Sequence, residues 1–134
     1  MSERTRFLSK LIGFYCIIAA LSMAAHRDLT VETVSALLHD QPVLMLLGFI
    51  TVAAGLALVL THNIWSGGAQ TIIVTVIGWI TLLKGLLFWF APLTAADLYL
   101  HQLHYVQLFY FYDAISLVIG VYLITGAYRS ARRL

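Results

Sequence analysis

Lys84 and Asp113 are the two charges of opposite sign that lie well inside otherwise apolar stretches of the chain. An ionisable side chain near the centre of a membrane helix costs roughly 2.5–3.5 kcal/mol on insertion scales, so it is ordinarily paired, kept in a wet cavity or used to handle an ion or solute. One charge of each sign predicts either mutual neutralisation, within the chain or between subunits, or a polar pathway in which one group binds a ligand or changes protonation. Lys84 stands thirteen residues after Thr71 and eight before Pro92, about 12 Å from the end of a helix rising 1.5 Å per residue. Asp113 follows His104 by nine residues, about 14 Å from the corresponding end of an antiparallel helix. Thr81, Tyr110 and Ser116 occupy neighbouring turns and are expected to support the two charges by hydrogen bonding.

A second chemistry-bearing group gathers towards the same end. His26, His39, His101 and His104 fall near Asp28, Asp40 and Asp97. On one continuous helix Asp97, His101 and His104 share a face, and with His26 they offer carboxylate and imidazole ligands suited to zinc or copper. Haem is disfavoured, because no histidine stands deep in an apolar stretch. Phe88, Trp89, Phe90, Tyr105, Phe109, Tyr110, Phe111 and Tyr112 crowd the region. Such rings anchor helices at an interface and pack them together, or hold a quinone, lipid or other hydrophobic substrate. His62, within Thr61-His62-Asn63-Ile64-Trp65, reads as a helix terminus with its imidazole near the last carbonyls and Trp65 at the interface. Phosphate loops, glycine-bracketed serine nucleophiles and H-E-x-x-H are absent from the sequence, so nothing points to an enzyme.

The elements that carry these residues follow from composition. Of 134 residues, 61% are hydrophobic and 10% charged, against about 45–50% and about 25% in soluble domains. Residues 1–134 are read as a single all-α integral membrane domain, a four-transmembrane-helix bundle with short amphipathic outer segments. The spans are 7–25, 43–61, 71–91 and 105–128, each long enough for about 30 Å of hydrocarbon. The basic start, apolar run and Ser22-Met23-Ala24 also fit a cleavable signal peptide; the expectation is a retained first span. Residues 29–39 place Val31, Val34, Leu37 and Leu38 at helical spacing and predict a helix on the membrane surface, with a second at 95–104. A helix capped at Thr94 and continuing to Tyr128 would be about 50 Å long and would have to protrude, tilt or bend.

Arg4, Arg6 and Lys10 precede the first span, and Arg129, Arg132 and Arg133 follow the last. With four crossings both clusters lie on one side, which the positive-inside rule makes the cytoplasm, most naturally that of a bacterial inner membrane. This end-weighted charge disfavours nucleic acid as a partner. The lone Cys16 has no second cysteine for an intrachain disulfide. Gly48 and Gly55, and likewise Gly78 and Gly85, are seven apart, while Ser116 and Gly120 continue the face of Asp113. These small-residue faces predict close helix contacts and self-association, since a bundle this small has little interior. The functional expectation is an oligomeric transport or channel-like protein, with an accessory subunit of a larger membrane complex, or an outer-face metal or quinone binder, as alternatives.

Overall fold

The computed structural model describes residues 1–132, which form an all-α bundle with four helices long and apolar enough to cross a membrane. In chain order the elements are α1 (Glu3–Ala25), α2 (Arg27–His39), α3 (Gln41–Thr61), α4 (Ala69–Phe90), α5 (Pro92–Asp97), a π-helical turn at Leu98–Gln102, and α6 (Phe109–Ala131). Arg133, counted above in the C-terminal basic cluster, lies outside the described residues.

Local signals set most of the boundaries. The Ser2 hydroxyl caps α1 by accepting from the Thr5 amide, and the Asp40 carboxylate caps α3 by accepting from Val43, with Pro42 in the first turn. Gly67 and Gly68, at φ 100° and 115°, precede α4, positions that side-chain-bearing residues rarely adopt. Pro92 follows its end.

α1 pairs with α6 and α3 with α4, giving two antiparallel hairpin-shaped pairs, of which only α3–α4 is joined by a short turn, while α1 touches α4 over a shorter stretch. The start of α1, the end of α3, the start of α4 and the end of α6 meet at one end, the terminal end; α2, α5 and the π turn lie at the other, the distal end. Glycines allow each hairpin to close. A Cβ on Gly55 would lie 2.5 Å from the Leu82 backbone, one on Gly85 2.6 Å from the Val52 amide, and one on Gly48 2.8 Å from the Trp89 amide. In the other hairpin, a Cβ on Gly13 or Gly120 would stand 2.9 Å from the carbonyl of the other glycine. Backbone contact this close substitutes dispersion for the hydrophobic drive that lipid cannot supply.

The hairpins share a core that fills their terminal halves and reaches the helix midpoints at Cys16 and Ile119. There Leu8 and Ile12 of α1, Val74 of α4 and Leu123 of α6 are buried together, with Leu58, Ile73, Ile77 and Ile119 against them. A second core, Leu38, Leu44, Phe88 and Ala95, instead joins α2, α3, α4 and α5 at the distal end. The amphipathic face of α2 therefore packs Val34 and Leu38 onto protein rather than simply resting on lipid. The expected unbroken helix to Tyr128 is absent as well. Hydrogen bonding widens through the π turn, His104 adopts φ 49°, and α6 starts only at Phe109.

Candidate functional site

Lys84 continues the α4 face of Ile73, Ile77 and Thr81, in steps of three and four residues. The first two meet the shared core; farther along, α4 has no α6 packed on it, and Lys84 is exposed. Its Nζ lies 5.4 Å from the Phe88 ring centroid and 5.5 Å from that of Tyr99. Phe88 is one turn nearer the distal end, whereas a helical Cα–Cβ bond tilts towards the helix start. The lysine stem thus bends back to carry its ammonium outward, and the two ring faces hold it by cation–π attraction.

Asp113 stands on the inward α6 face with Phe109, Ser116, Gly120 and Leu123, and is half-buried. Its Oδ1 is enclosed without a hydrogen-bond partner. Among the described residues the one ion pair is Arg27–Asp28 at 3.0 Å, so the structure does not join Lys84 to Asp113 by a salt bridge. Because α6 begins at Phe109, Asp113 is only four residues inside it, about 6 Å along the axis, and Lys84 is six residues, about 9 Å, from the end of α4. Both lie closer to their helix ends than the spacings counted from Pro92 and His104 predict, because α4 stops at Phe90 and α6 starts at Phe109.

Two tyrosines stand between them. Tyr99 touches Lys84, and Tyr105, in the linker before α6, feels the charge of Asp113 and of Tyr99; burial first, then those two groups, raise its phenol above the ordinary tyrosine range. Arg27 closes this end from α2. Its Nη2 donates to the Val106 carbonyl at 3.4 Å, and its guanidinium lies 5.8 Å from the Phe109 centroid and 5.6 Å from that of Tyr110. The expected supports act elsewhere: Thr81 donates to the Ile77 carbonyl, Tyr110 is exposed beneath Arg27, and Ser116 faces the Cys16 thiol.

The metal constellation is not assembled. Among the described residues no three His, Cys, Asp or Glu side chains converge on one position. Asp97 is held by Gln102 at 3.4 Å, His104 contacts the Gln102 carbonyl at 3.0 Å, and His26 marks the α1–α2 junction. The shared face required a regular helix through 104, and the π turn removes that register.

An ionisable side chain bonded at both of its nitrogens lies at the terminal end. His62 follows α3, and its amide does close the last turn onto the Leu58 carbonyl. Its imidazole, however, is 1% exposed and bonds two hydroxyls: Nε2 is 3.0 Å from Thr5 Oγ1 and Nδ1 is 3.1 Å from Thr75 Oγ1. Thr75 also reaches the Ile64 carbonyl at 2.8 Å and the Thr71 carbonyl at 3.1 Å, and accepts from the Ile64 amide at 3.2 Å. Beside it, the Asn63 side-chain Oδ1 accepts from the indoles of Trp65 at 2.9 Å and Trp79 at 3.3 Å. Sequence reading missed this node. Its only local sign is that Thr5 and Thr75 occupy helix faces otherwise turned to the core.

No protein-family model, curated protein or solved structure matches the chain. The distal half offers a cation and an anion on separate hairpins with tyrosines between them, and the terminal half offers an enclosed imidazole bonded at both nitrogens.

Proposed function

We propose that the chain is a small, oligomeric membrane transport protein that receives a polar or amphipathic solute between its hairpins from the distal side, with Lys84 and Asp113 as its charge contacts. The observation that carries this reading is the incomplete neutralisation of both groups: the ammonium of Lys84 rests on two rings, and a carboxylate oxygen of Asp113 is enclosed without a donor. Such groups within membrane helices are ordinarily satisfied by a partner or used in transport. A solute with groups complementary to both would supply what the chain lacks. Tyr99 and Tyr105 stand where they would contact its less polar part. The packed terminal core lies in the opposite half, which we assign to the cytoplasmic side of a bacterial inner membrane, a reading supported by the basic residues towards both ends of the sequence.

Proteoliposome flux tests the reading, with amino acids, organic cations and short-chain phosphoesters as trial solutes. Wild-type protein should carry at least one class above empty vesicles, and Lys84→Met and Asp113→Asn should each abolish that flux while the protein remains folded. Flux that survives both substitutions removes the two charges from the pathway.

The exposure of Lys84 supports a second reading, as a subunit that completes its charge against another protein in a larger membrane complex or against a second copy of itself. Stoichiometric co-purification of a different membrane protein, lost in Lys84→Met, favours the larger complex. A charge-swap pair, Lys84→Asp with Asp113→Lys, that restores a homo-oligomer lost in either single variant favours the second copy.

A further inference from the structure

The directions of the hydrogen bonds around His62 follow from donor counting. Thr75 has one hydroxyl hydrogen and two backbone carbonyls within reach, at 2.8 Å and 3.1 Å; its oxygen already accepts from the Ile64 amide. With its hydrogen given to a carbonyl, Thr75 meets His62 as an acceptor, so Nδ1 carries the proton of the neutral ring. Nε2 is then the acceptor and takes the Thr5 hydroxyl hydrogen. Thr5 Oγ1 in turn accepts from Ser2 Oγ, 2.7 Å away. The chain of donors runs in one direction, from Ser2 through Thr5 and His62 to Thr75, and ends on a carbonyl.

We propose that His62 is a proton-binding site loaded from the terminal side through the hydroxyls of Ser2 and Thr5. Ser2 is exposed, whereas Thr5 and His62 are each 1% exposed. A hydronium ion outside gives a proton to Ser2 Oγ, leaving water. Ser2 passes its original hydrogen to Thr5 Oγ1, and Thr5 passes its own to His62 Nε2. One proton enters, each hydroxyl keeps one hydrogen, and the imidazole becomes imidazolium. Both hydroxyl bonds are now reversed: His62 donates to Thr5, and Thr5 donates to Ser2, which still receives the Thr5 amide of the α1 cap. On the far side Thr75 already gives its hydrogen to a carbonyl, so the relay stops there. The geometry stores a proton rather than conducting one across.

The node ties α1 of one hairpin to the end of α3 and the start of α4 in the other, so its protonation state acts on the terminal contact between hairpins. This consequence goes beyond the transport reading, while the proton site itself does not depend on that reading. The charged groups on the packed elements are Glu3, Arg4, Arg6 and Lys10 of α1 and Arg129 of α6, with Arg132 just past its end; Lys84 of α4 and Asp113 of α6 lie in the distal half, and α3 carries none. The two ring nitrogens themselves face hydroxyls.

Nitrogen-15 NMR of histidine-labelled full-length protein in nanodiscs, taken through a pH series, tests the site without any flux assay. His62→Gln assigns the signal. The expected neutral ring bears hydrogen on Nδ1, becomes doubly protonated as pH falls, and exchanges its Nε2 proton several-fold more slowly in Ser2→Ala and Thr5→Val. Ser2→Ala removes the α1 cap along with the relay hydroxyl, so Ser2→Asp, which keeps a capping oxygen but no hydroxyl, serves beside it and keeps the test informative if Thr5→Val does not fold. A neutral ring protonated at Nε2, a ring that stays neutral throughout, or exchange unchanged in the folded Ser2→Ala variant overturns the proposal.

Discussion

Thr75 gives one hydrogen and receives two, so its hydroxyl fixes the polarity of the terminal node. Thr75→Val keeps the side-chain volume but leaves the His62 Nδ1–H and the Ile64 amide facing a methyl group. Each orphaned buried donor costs about 1–3 kcal/mol, whereas Thr75→Ser retains the oxygen and should cost much less. Thermal unfolding in a fixed detergent should rank wild type above Ser and Ser well above Val; equal midpoints for Val and wild type would show that these bonds contribute nothing. Tyr105 supplies a residue-scale test at the other end. Its phenol is held protonated above the ordinary tyrosine range by burial and then by Asp113 and Tyr99. The protonated form is favoured by folding, so this contribution to stability is complete below the unfolded tyrosine range and is lost as pH rises through the higher folded value. Tyr105→Phe, which cannot ionise, should flatten the alkaline limb of the stability curve, and the wild-type-minus-variant phenolate absorbance should rise later than that of free tyrosine. Tyr105 shows in the sequence only as one ring of an aromatic cluster, and the His62 node does not show there as a site at all. Thr5 and His62 are 57 positions apart, and no local pattern records a bond across that distance.

The elements divide by how local their signals are. The four apolar runs show in the sequence because crossing hydrocarbon demands length and composition, and the structure places α1, α3, α4 and α6 within a few residues of those runs. The segment before α6 does not show there. Thr94 to Asp97 gives a start signal, and no glycine or proline interrupts the residues from there to Phe109. The break comes instead from the π turn and from His104, a non-glycine residue at φ 49°. That break also undid the reading of Asp97, His101 and His104 as ligands on one face. The glycine spacing on α3 and α4 had the opposite character: a repeat of seven is local and periodic, and the two helices meet where it falls. Gly55→Leu should therefore force α3 away from the Leu82 backbone, with a loss of at least about 1–3 kcal/mol, the usual cost of overpacking. Ala53→Leu adds a larger side chain on the exposed face of the same helix and should leave the unfolding midpoint near wild type. Similar losses in both variants would mean that helix length or insertion, rather than the α3–α4 contact, responds to added bulk.

At the scale of the whole molecule the main feature is the asymmetry between its ends. Gln70 of α4 donates to the Tyr122 and Leu123 carbonyls of α6 at 3.1 Å and 3.3 Å. His62 ties α3 to α1 and α4 at the same end, and the shared core fills the space between. Beyond that core α4 packs under α2 and α5, and α6 packs along α1. A rigid bundle with this layout should admit water-soluble reagents from one side and to one depth. In a Cys16→Ala background, Thr81→Cys and Lys84→Cys should react with a membrane-impermeant maleimide added on the distal side. Val74→Cys and Leu123→Cys, at positions 1% and 0% exposed, should resist it from either side. Equal protection at all four positions would make the distal gap a lipid-filled or subunit-filled surface, and the two charges would then belong to an interface. Reaction at Val74→Cys from the terminal side, appearing only at low pH and lost in His62→Gln, would mean that protonating His62 loosens the contact between hairpins. Distal access and terminal protonation would then act on the same bundle from opposite ends, as a carrier opening alternately to its two sides requires.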